Sequence, residues 1–230
     1  MATGIRLVLL LIIFSASACS SMGPADIDVA ALAETDIDGV VELQQQKVMR
    51  DLKLLMLKLY RRNPKGRYDK DSRTIEQSVD HVFAQPFDGG FPQWQGYQPD
   101  TIIRLAFEDS YTGSDRILPL IVGLRRMLMA SYGNQTEFYF FTTLDQQKLY
   151  NSARNIEVAA WLLGNARNTD GELFILSDSW QGEPRNLSYQ RLIGKMIATQ
   201  ENLAEVISHK TGRLIKNSIV GTASMIFIPI

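Results

Sequence analysis

The chain has 230 residues, of which 45% are apolar, and a formal net charge of −1. This length and apolar content suffice for one domain with a sizeable core. The balanced charge gives no electrostatic reason to expect nucleic acid as a partner. The single cysteine excludes a disulfide within the chain.

The first 18 residues have the pattern of an export signal. Arg6 is the only charge before Cys19, and the apolar run at residues 7–14 is too short to span a bilayer, which needs about 20 residues. Small residues at positions 16–18 complete the positive start, apolar core and cleavage site of a secretory signal. The alternative is an ordinary secretory signal beside an incidental cysteine.

Ala16, Ser17, Ala18 and Cys19 together resemble the lipobox of bacterial lipoproteins, although the position occupied by Ala16 is usually Leu. The resemblance implies cleavage before Cys19 and attachment of palmitate-type acyl chains to that residue. Two or more chains anchor a protein stably, whereas one binds membranes marginally. Because Ser20 rather than Asp follows the cysteine, the resemblance also implies the periplasmic face of the outer membrane, with the inner membrane as the alternative.

Ser, Gly and Pro residues near the start of 19–37 indicate that this segment is a tether. We expect a single domain at 38–230. A helix over about 38–62 is predicted by one apolar stripe and ends at Asn63-Pro64, because the residue before proline is pushed out of the helical region. The stripe comprises Val41, Val48, Leu52, Leu55 and Leu59.

A short helix is predicted at 72–84, and a loop at 86–99. The loop has three prolines and three glycines, which exclude a regular helix. Its aromatic residues alternate with amides, a combination that suits sugars or a partner protein. The candidate partner-binding residues are Phe91, Trp94 and Tyr97. A loop folded onto its own core is the alternative.

Residues 99–132 predict a helical hairpin, whose second helix is capped by Ser114 or Asp115 and carries Pro119 in its first turn. Positions 117–128 are apolar nearly all round, which is typical of a buried central helix.

Thr143 and Gln146 match a capping box for a helix that reaches about Asn165, and the last helix runs from about Ser188 to a stop at Gly212. The fold prediction is mainly α: about six helices in an orthogonal array or bundle, with two or three short extended segments. The alternative is α+β, in which the extended segments pair into a small sheet. These segments are 138–141, 173–176 and 219–230.

Catalytic chemistry has little support in the sequence, so we expect no enzyme activity, no cofactor and no metal. The chain has two histidines, His81 and His209, and lacks the H-E-x-x-H and G-x-S-x-G patterns. Arg154 and Glu157, three residues apart on a predicted helix, are expected to pair. Arg125 or Arg126 is the alternative partner of Glu157.

One segment in the middle of the chain resembles a group of proteobacterial envelope lipoproteins. It runs from Gly123-Leu124-Arg125 through Thr136-Glu137-Phe138 to Leu149-Tyr150-Asn151-Ser152-Ala153-Arg154-Asn155. The resemblance implies a compartment and no reaction. We therefore expect a lipid-anchored, non-catalytic scaffold or accessory factor of a cell-envelope complex, with an envelope protein as partner. The alternative is a periplasmic glycan or peptidoglycan binder, or a wall-active enzyme, that uses the loop 86–99.

Overall fold

A computed structural model gives the architecture. The model describes residues 29–138, 144–178, 183–184, 186–216 and 226–230. Of residues 29–37 it describes only the backbone. The chain divides into two compact units, 1–37 and 38–230. Cys19 with its lipobox lies outside the described residues. No helix in the described ranges combines the length and apolarity that crossing a membrane requires.

The described residues form six α-helices, and the mainly α prediction is confirmed. The helices are α1 (Val29–Arg62), α2 (Ile75–Ala84), α3 (Pro99–Leu105), α4 (Ile117–Ser131), α5 (Gln146–Asn165) and α6 (Ser188–Thr211). Short 3-10 turns lie at Pro64–Gly66 and Pro92–Trp94. Strand pairing within the described ranges is limited to one isolated bridge between Arg167 and Leu173, so the sheet of the α+β alternative does not form there.

Helix α1 begins at Val29, nine residues before the predicted start, so residues 29–37 of the predicted tether are helical. The predicted apolar stripe is buried along the whole of its length. The helix ends at Arg62, just before Pro64, as predicted.

Helix α4 is the buried central helix, since 13 of its 15 residues are buried. It packs closely on α3 at Gly123, where an added Cβ would lie 2.8 Å from the carbonyl oxygen of Pro99 and 2.9 Å from the nitrogen of Ile103. Glycine is therefore required at this crossing for a steric reason. Pro119 lies in the first turn, as predicted.

Two helix starts were predicted with different success. Oδ1 of Asp115 accepts hydrogen bonds from the nitrogens of Ile117 (3.0 Å) and Leu118 (2.9 Å), so Asp115 is the cap of α4. The capping box expected at the start of α5 is wrong, because the helix begins at Gln146 and Asp145 caps it instead. Thr143 itself lies outside the described residues.

A buried polar network joins α4, α5 and α6 inside the core. The hydroxyl of Tyr132 donates to Oε1 of Gln200 at 2.6 Å. Nε2 of Gln200 donates to the hydroxyls of Ser131 (3.0 Å) and Ser152 (2.6 Å). Each polar atom of the buried glutamine side chain thus has a partner, as burial requires.

Candidate functional site

A cavity with charged walls lies where α1 ends and α4 begins, and we call it the basic cleft. Its volume is about 390 Å³. Three segments line it: 62–66, 114–117 and 174–176. Two of these segments end or begin a helix, so the cleft is built from chain turns held by the helical core.

Asn63 fixes one wall of the basic cleft. Its Nδ2 donates to the carbonyl oxygens of Leu59 and Leu176, both at 2.8 Å, and its Oδ1 accepts from the nitrogen of Leu176 at 2.9 Å. The side chain therefore ties the end of α1 to segment 174–176. Gly66 lies against the opposite wall, where an added Cβ would approach the carbonyl oxygen of Ser114 to 2.9 Å.

Asp115 lies at the base of the cleft and is only 4% exposed. Besides capping α4, its carboxylate accepts through Oδ2 from the hydroxyl of Tyr60 (2.8 Å) and the nitrogen of Tyr68 (3.1 Å). Burial raises the pKa of Asp115, while these hydrogen bonds and those of the cap lower it. Four donors on one carboxylate indicate a structural role for the group.

Three cations surround the basic cleft: Arg62, Lys65 and Arg116. Arg62 forms an ion pair with Glu183. Lys65 and Arg116 have no ion-pair partner among the described residues. The rim therefore carries positive charge that no described carboxylate neutralises by direct contact.

Arg116 is held in place without a carboxylate. It donates to the carbonyl oxygen of Glu108 at 2.9 Å, and its guanidinium carbon lies 4.5 Å from the centre of the Phe174 ring. Stacking on an aromatic face leaves the positive charge of an arginine intact. Buried Ile117 and Ile175 complete an apolar floor, so the cleft combines a cationic rim with apolar walls.

The structure corrects the expectation for the loop 86–99. Phe91 and Trp94 are only 8% and 4% exposed, and their ring centres are 5.9 Å apart. They belong to the core and offer no surface to a partner, so the alternative of a loop folded onto its own core describes them. Tyr97 is 50% exposed and is the one candidate of the three that faces solvent.

Arg126 binds the main chain of this inward-folded loop. Its guanidinium donates to the carbonyl oxygens of Phe87 (3.0 Å), Asp88 (3.0 Å) and Trp94 (2.7 Å). A single side chain of α4 thus provides the hydrogen-bond donors for three loop carbonyls, which in a helix or a sheet would be bound by backbone N–H groups.

Arg125 acts in the same way on the neighbouring helix end. It donates to the carbonyl oxygens of Val82 (2.9 Å), Phe83 (3.1 Å) and Gln85 (2.9 Å), at the C-terminal end of α2. The arginines are therefore not partners of Glu157, which was the alternative prediction. Glu157 pairs with Arg154 at 2.9 Å, as predicted.

The remaining titratable groups do not form a catalytic constellation within the described residues. His81 lies in the last turn of α2, next to Asp80, which pairs with Lys53 at 2.7 Å. His209 lies in the exposed last turn of α6. No cluster of three or more metal-ligating side chains occurs in the described ranges.

Sequence reasoning missed the basic cleft, although it used Asn63-Pro64 and Asp115 as helix boundaries. Compared with family models, curated proteins and solved structures, the chain matches none.

Proposed function

We propose that this chain is a lipoprotein of the cell envelope, anchored through Cys19 at the periplasmic face of the outer membrane. Its helical domain acts as a non-catalytic scaffold or accessory factor, and its basic cleft binds an acidic segment of an envelope partner. The lipobox-like sequence before Cys19 supports the anchor. The resemblance to proteobacterial envelope lipoproteins supports the compartment.

The observation that carries the binding proposal is the charge of the cleft. Lys65 and Arg116 lie over apolar walls with no described ion-pair partner. Complementary charge on a partner would raise the association rate and select against cationic partners. Glu183, which pairs with Arg62, supports a carboxylate as the group that this rim accepts.

A small ligand is the second candidate, and the volume of the cleft favours it. About 390 Å³ falls within the range of small-molecule sites, which is roughly 300–1,000 Å³. The chemistry of the walls suits a carboxylate-bearing cell-wall fragment with an apolar part. This candidate moves the glycan or peptidoglycan site from the loop 86–99 to the basic cleft.

Crosslinking in intact Gram-negative cells, followed by mass spectrometry, tests the binding proposal. Lys65→Glu reverses the charge of the rim at an exposed residue, and Lys195→Glu makes the same change on the exposed face of α6. We expect one dominant envelope partner in the wild type and in Lys195→Glu, and its loss in Lys65→Glu. Equal capture by all three proteins would reject the cleft as the interface. If no partner is captured, carboxylate-bearing wall fragments are titrated against the purified chain.

The anchor is tested separately with Cys19→Ser and, as a control, Ser21→Ala. We expect incorporation of an alkyne-labelled palmitate analogue, and recovery in the outer-membrane fraction, for the wild type and the control only. Labelling of Cys19→Ser at the wild-type level would reject this residue as the acylation site.

A further inference from the structure

Three amide side chains form a line along one face of α5. Gln147, Asn151 and Asn155 are spaced four residues apart, so they lie one above another on the helix. We call them the amide ladder. Nε2 of Gln147 donates to Oδ1 of Asn151 at 2.8 Å, so two of the three side chains are hydrogen-bonded to each other.

The amide ladder binds main-chain atoms of distant segments. Asn155 makes two hydrogen bonds to Ile228: its Nδ2 donates to the carbonyl oxygen (2.8 Å), and its Oδ1 accepts from the nitrogen (2.7 Å). Asn151 donates to the carbonyl oxygen of Pro229 at 2.9 Å. Gln147 makes the same pair of bonds to Lys216, at 3.0 and 2.7 Å. These hydrogen bonds go to main-chain atoms, so they select an extended backbone and do not depend on the side chains that it carries.

Phe227 is the one buried side chain of segment 226–230, while Ile228 and Ile230 are half-buried. Phe227 is 6% exposed, and the guanidinium carbon of Arg104 lies 5.0 Å from the centre of its ring. Ile226 and Pro229 are exposed. A cavity of about 340 Å³ lies between this segment and residues of α3, α4 and α5, including Pro99, Met127 and Ala130. The segment thus lies in the groove like a bound peptide whose main buried side chain is Phe227.

We propose that this groove is a peptide-binding site, occupied here by the chain's own segment 226–230 and open to exchange with an extended segment of a partner protein. The partner segment carries an aromatic residue followed by a residue whose N–H and C=O both face Asn155. The next residue uses only its carbonyl, so proline is tolerated there. Asn151 and Asn155 are buried, and leaving their amides without partners would be costly. Replacement of one peptide by another therefore fits the groove better than an empty state.

The exchange is measured by fluorescence anisotropy with a labelled Ile-Phe-Ile-Pro-Ile peptide and the full chain. In the wild type the chain's own segment 226–230 occupies the groove and therefore competes with the added peptide. Phe227→Ala removes the anchor of that competitor. We expect this variant to bind the peptide at least about tenfold more tightly than the wild type does. Adding Asn155→Ala to Phe227→Ala is expected to abolish the gain.

Controls keep the test decisive. Asn202→Ala changes an exposed amide on α6 and is expected to leave peptide binding by Phe227→Ala unchanged. A folded Phe227→Ala variant, as judged by far-UV circular dichroism, that binds no better than the wild type would overturn the proposal. So would a gain that Asn155→Ala leaves intact.

If Phe227→Ala fails to fold, a peptide with a photoreactive benzoylphenylalanine in place of Phe is added in excess to the wild type. Crosslinks at Met127 or Ala130 support the groove, and crosslinks elsewhere or none overturn it. If the wild type forms a dimer, and both Phe227→Ala and Asn155→Ala abolish it, the partner that supplies the extended segment is a second copy of this chain and not another protein. These outcomes do not depend on Lys65 or Cys19, so they are distinguishable from a failure of the proposed function.

Discussion

The hydroxyl of Tyr60 donates a 2.8 Å hydrogen bond to the carboxylate of Asp115. This contact joins the last turns of α1 to the first turn of α4 at the base of the basic cleft. The tyrosine is fully buried, and Asp115 also caps α4. The carboxylate that shapes the cleft is thus fixed from both helices.

Tyr60→Phe removes this bond and keeps the ring. One oxygen of a buried carboxylate would lose one of its two donors, and we expect a loss of about 1–3 kcal/mol in the free energy of unfolding. Urea unfolding monitored by circular dichroism measures the change. Tyr97→Phe, at an exposed tyrosine, should change the free energy by no more than about 0.5 kcal/mol. An equal effect of both substitutions would refute the structural role of the Tyr60 hydroxyl.

Alkaline pH tests the buried tyrosines. Burial raises the pKa of Tyr60, with a further contribution from Asp115, and burial raises that of Tyr132. Partial burial also raises the pKa of Tyr68, to about 12, with a further contribution from Asp69. In the unfolded chain these phenols ionise near pH 10. The folded state therefore keeps protons that the unfolded state releases, so stability is fully present below about pH 10 and falls as the pH rises above it.

The expected slope approaches about 1.4 kcal/mol per pH unit for each of the two buried tyrosines, Tyr60 and Tyr132, once the pH is well above 10. Between about pH 9 and 11 the loss adds up to about 1.4 kcal/mol for each of them, and urea unfolding at a series of pH values in this range measures it. Tyr60→Phe should remove the contribution of one tyrosine to this pH dependence and leave that of Tyr132. A slope that this substitution leaves unchanged would count against Tyr60 as a source of the effect.

Gly123→Ala tests the close crossing of α3 and α4. The new Cβ would approach backbone atoms of Pro99 and Ile103 to less than 3.0 Å, so one helix must shift. We expect a destabilisation of about 1–3 kcal/mol, as for other overpacked cores. Gly194→Ala is the matched control, because its Cβ would have no neighbour within 4 Å inside α6. This control should stabilise the protein by about 0.5–1 kcal/mol, since alanine favours helix.

Thermal unfolding of the two glycine variants side by side gives the comparison. We expect the melting temperature to fall in Gly123→Ala, where the added Cβ is too close to α3, and to rise in Gly194→Ala, where it has no neighbour. A stabilising effect of Gly123→Ala would show that the two helices can separate without loss of packing.

The helices could be predicted because their evidence is local. The stripe from Val41 to Leu59 repeats with the period of a helix, and the apolar surface of α4 extends all round. Local evidence also placed the ends at Pro64 and Gly212, where chain geometry is restricted. The start of α5 was misplaced because Thr143 and Asp145 are both good caps, and composition alone does not choose between neighbouring caps.

The candidate functional surfaces could not be predicted because they depend on tertiary contacts. Asn155 binds a residue 73 positions away, and Asn151 binds one 78 positions away. The sequence shows both amides only as polar residues on a helix. Likewise, aromatic residues among glutamines suit an exposed surface as well as a core. Arg126 binds three carbonyls of the loop in which Phe91 and Trp94 turn inward, and its distance from them along the chain hides this relation.

Arg126→Lys tests that relation directly. Lysine keeps the charge and the stem but has one ammonium group in place of a planar fork, so it cannot reproduce the three guanidinium bonds to Phe87, Asp88 and Trp94. Carbonyls left without donors should loosen the loop 86–99 and lower the free energy of unfolding by about 1–3 kcal/mol. The measurements are urea unfolding, and hydrogen exchange followed by mass spectrometry on peptides that cover 86–99. Arg191→Lys, at an exposed arginine of α6, should leave both unchanged. If Arg126→Lys leaves exchange in the loop at the wild-type level, packing of Phe91 and Trp94 alone holds the loop, and the arginine is dispensable for it.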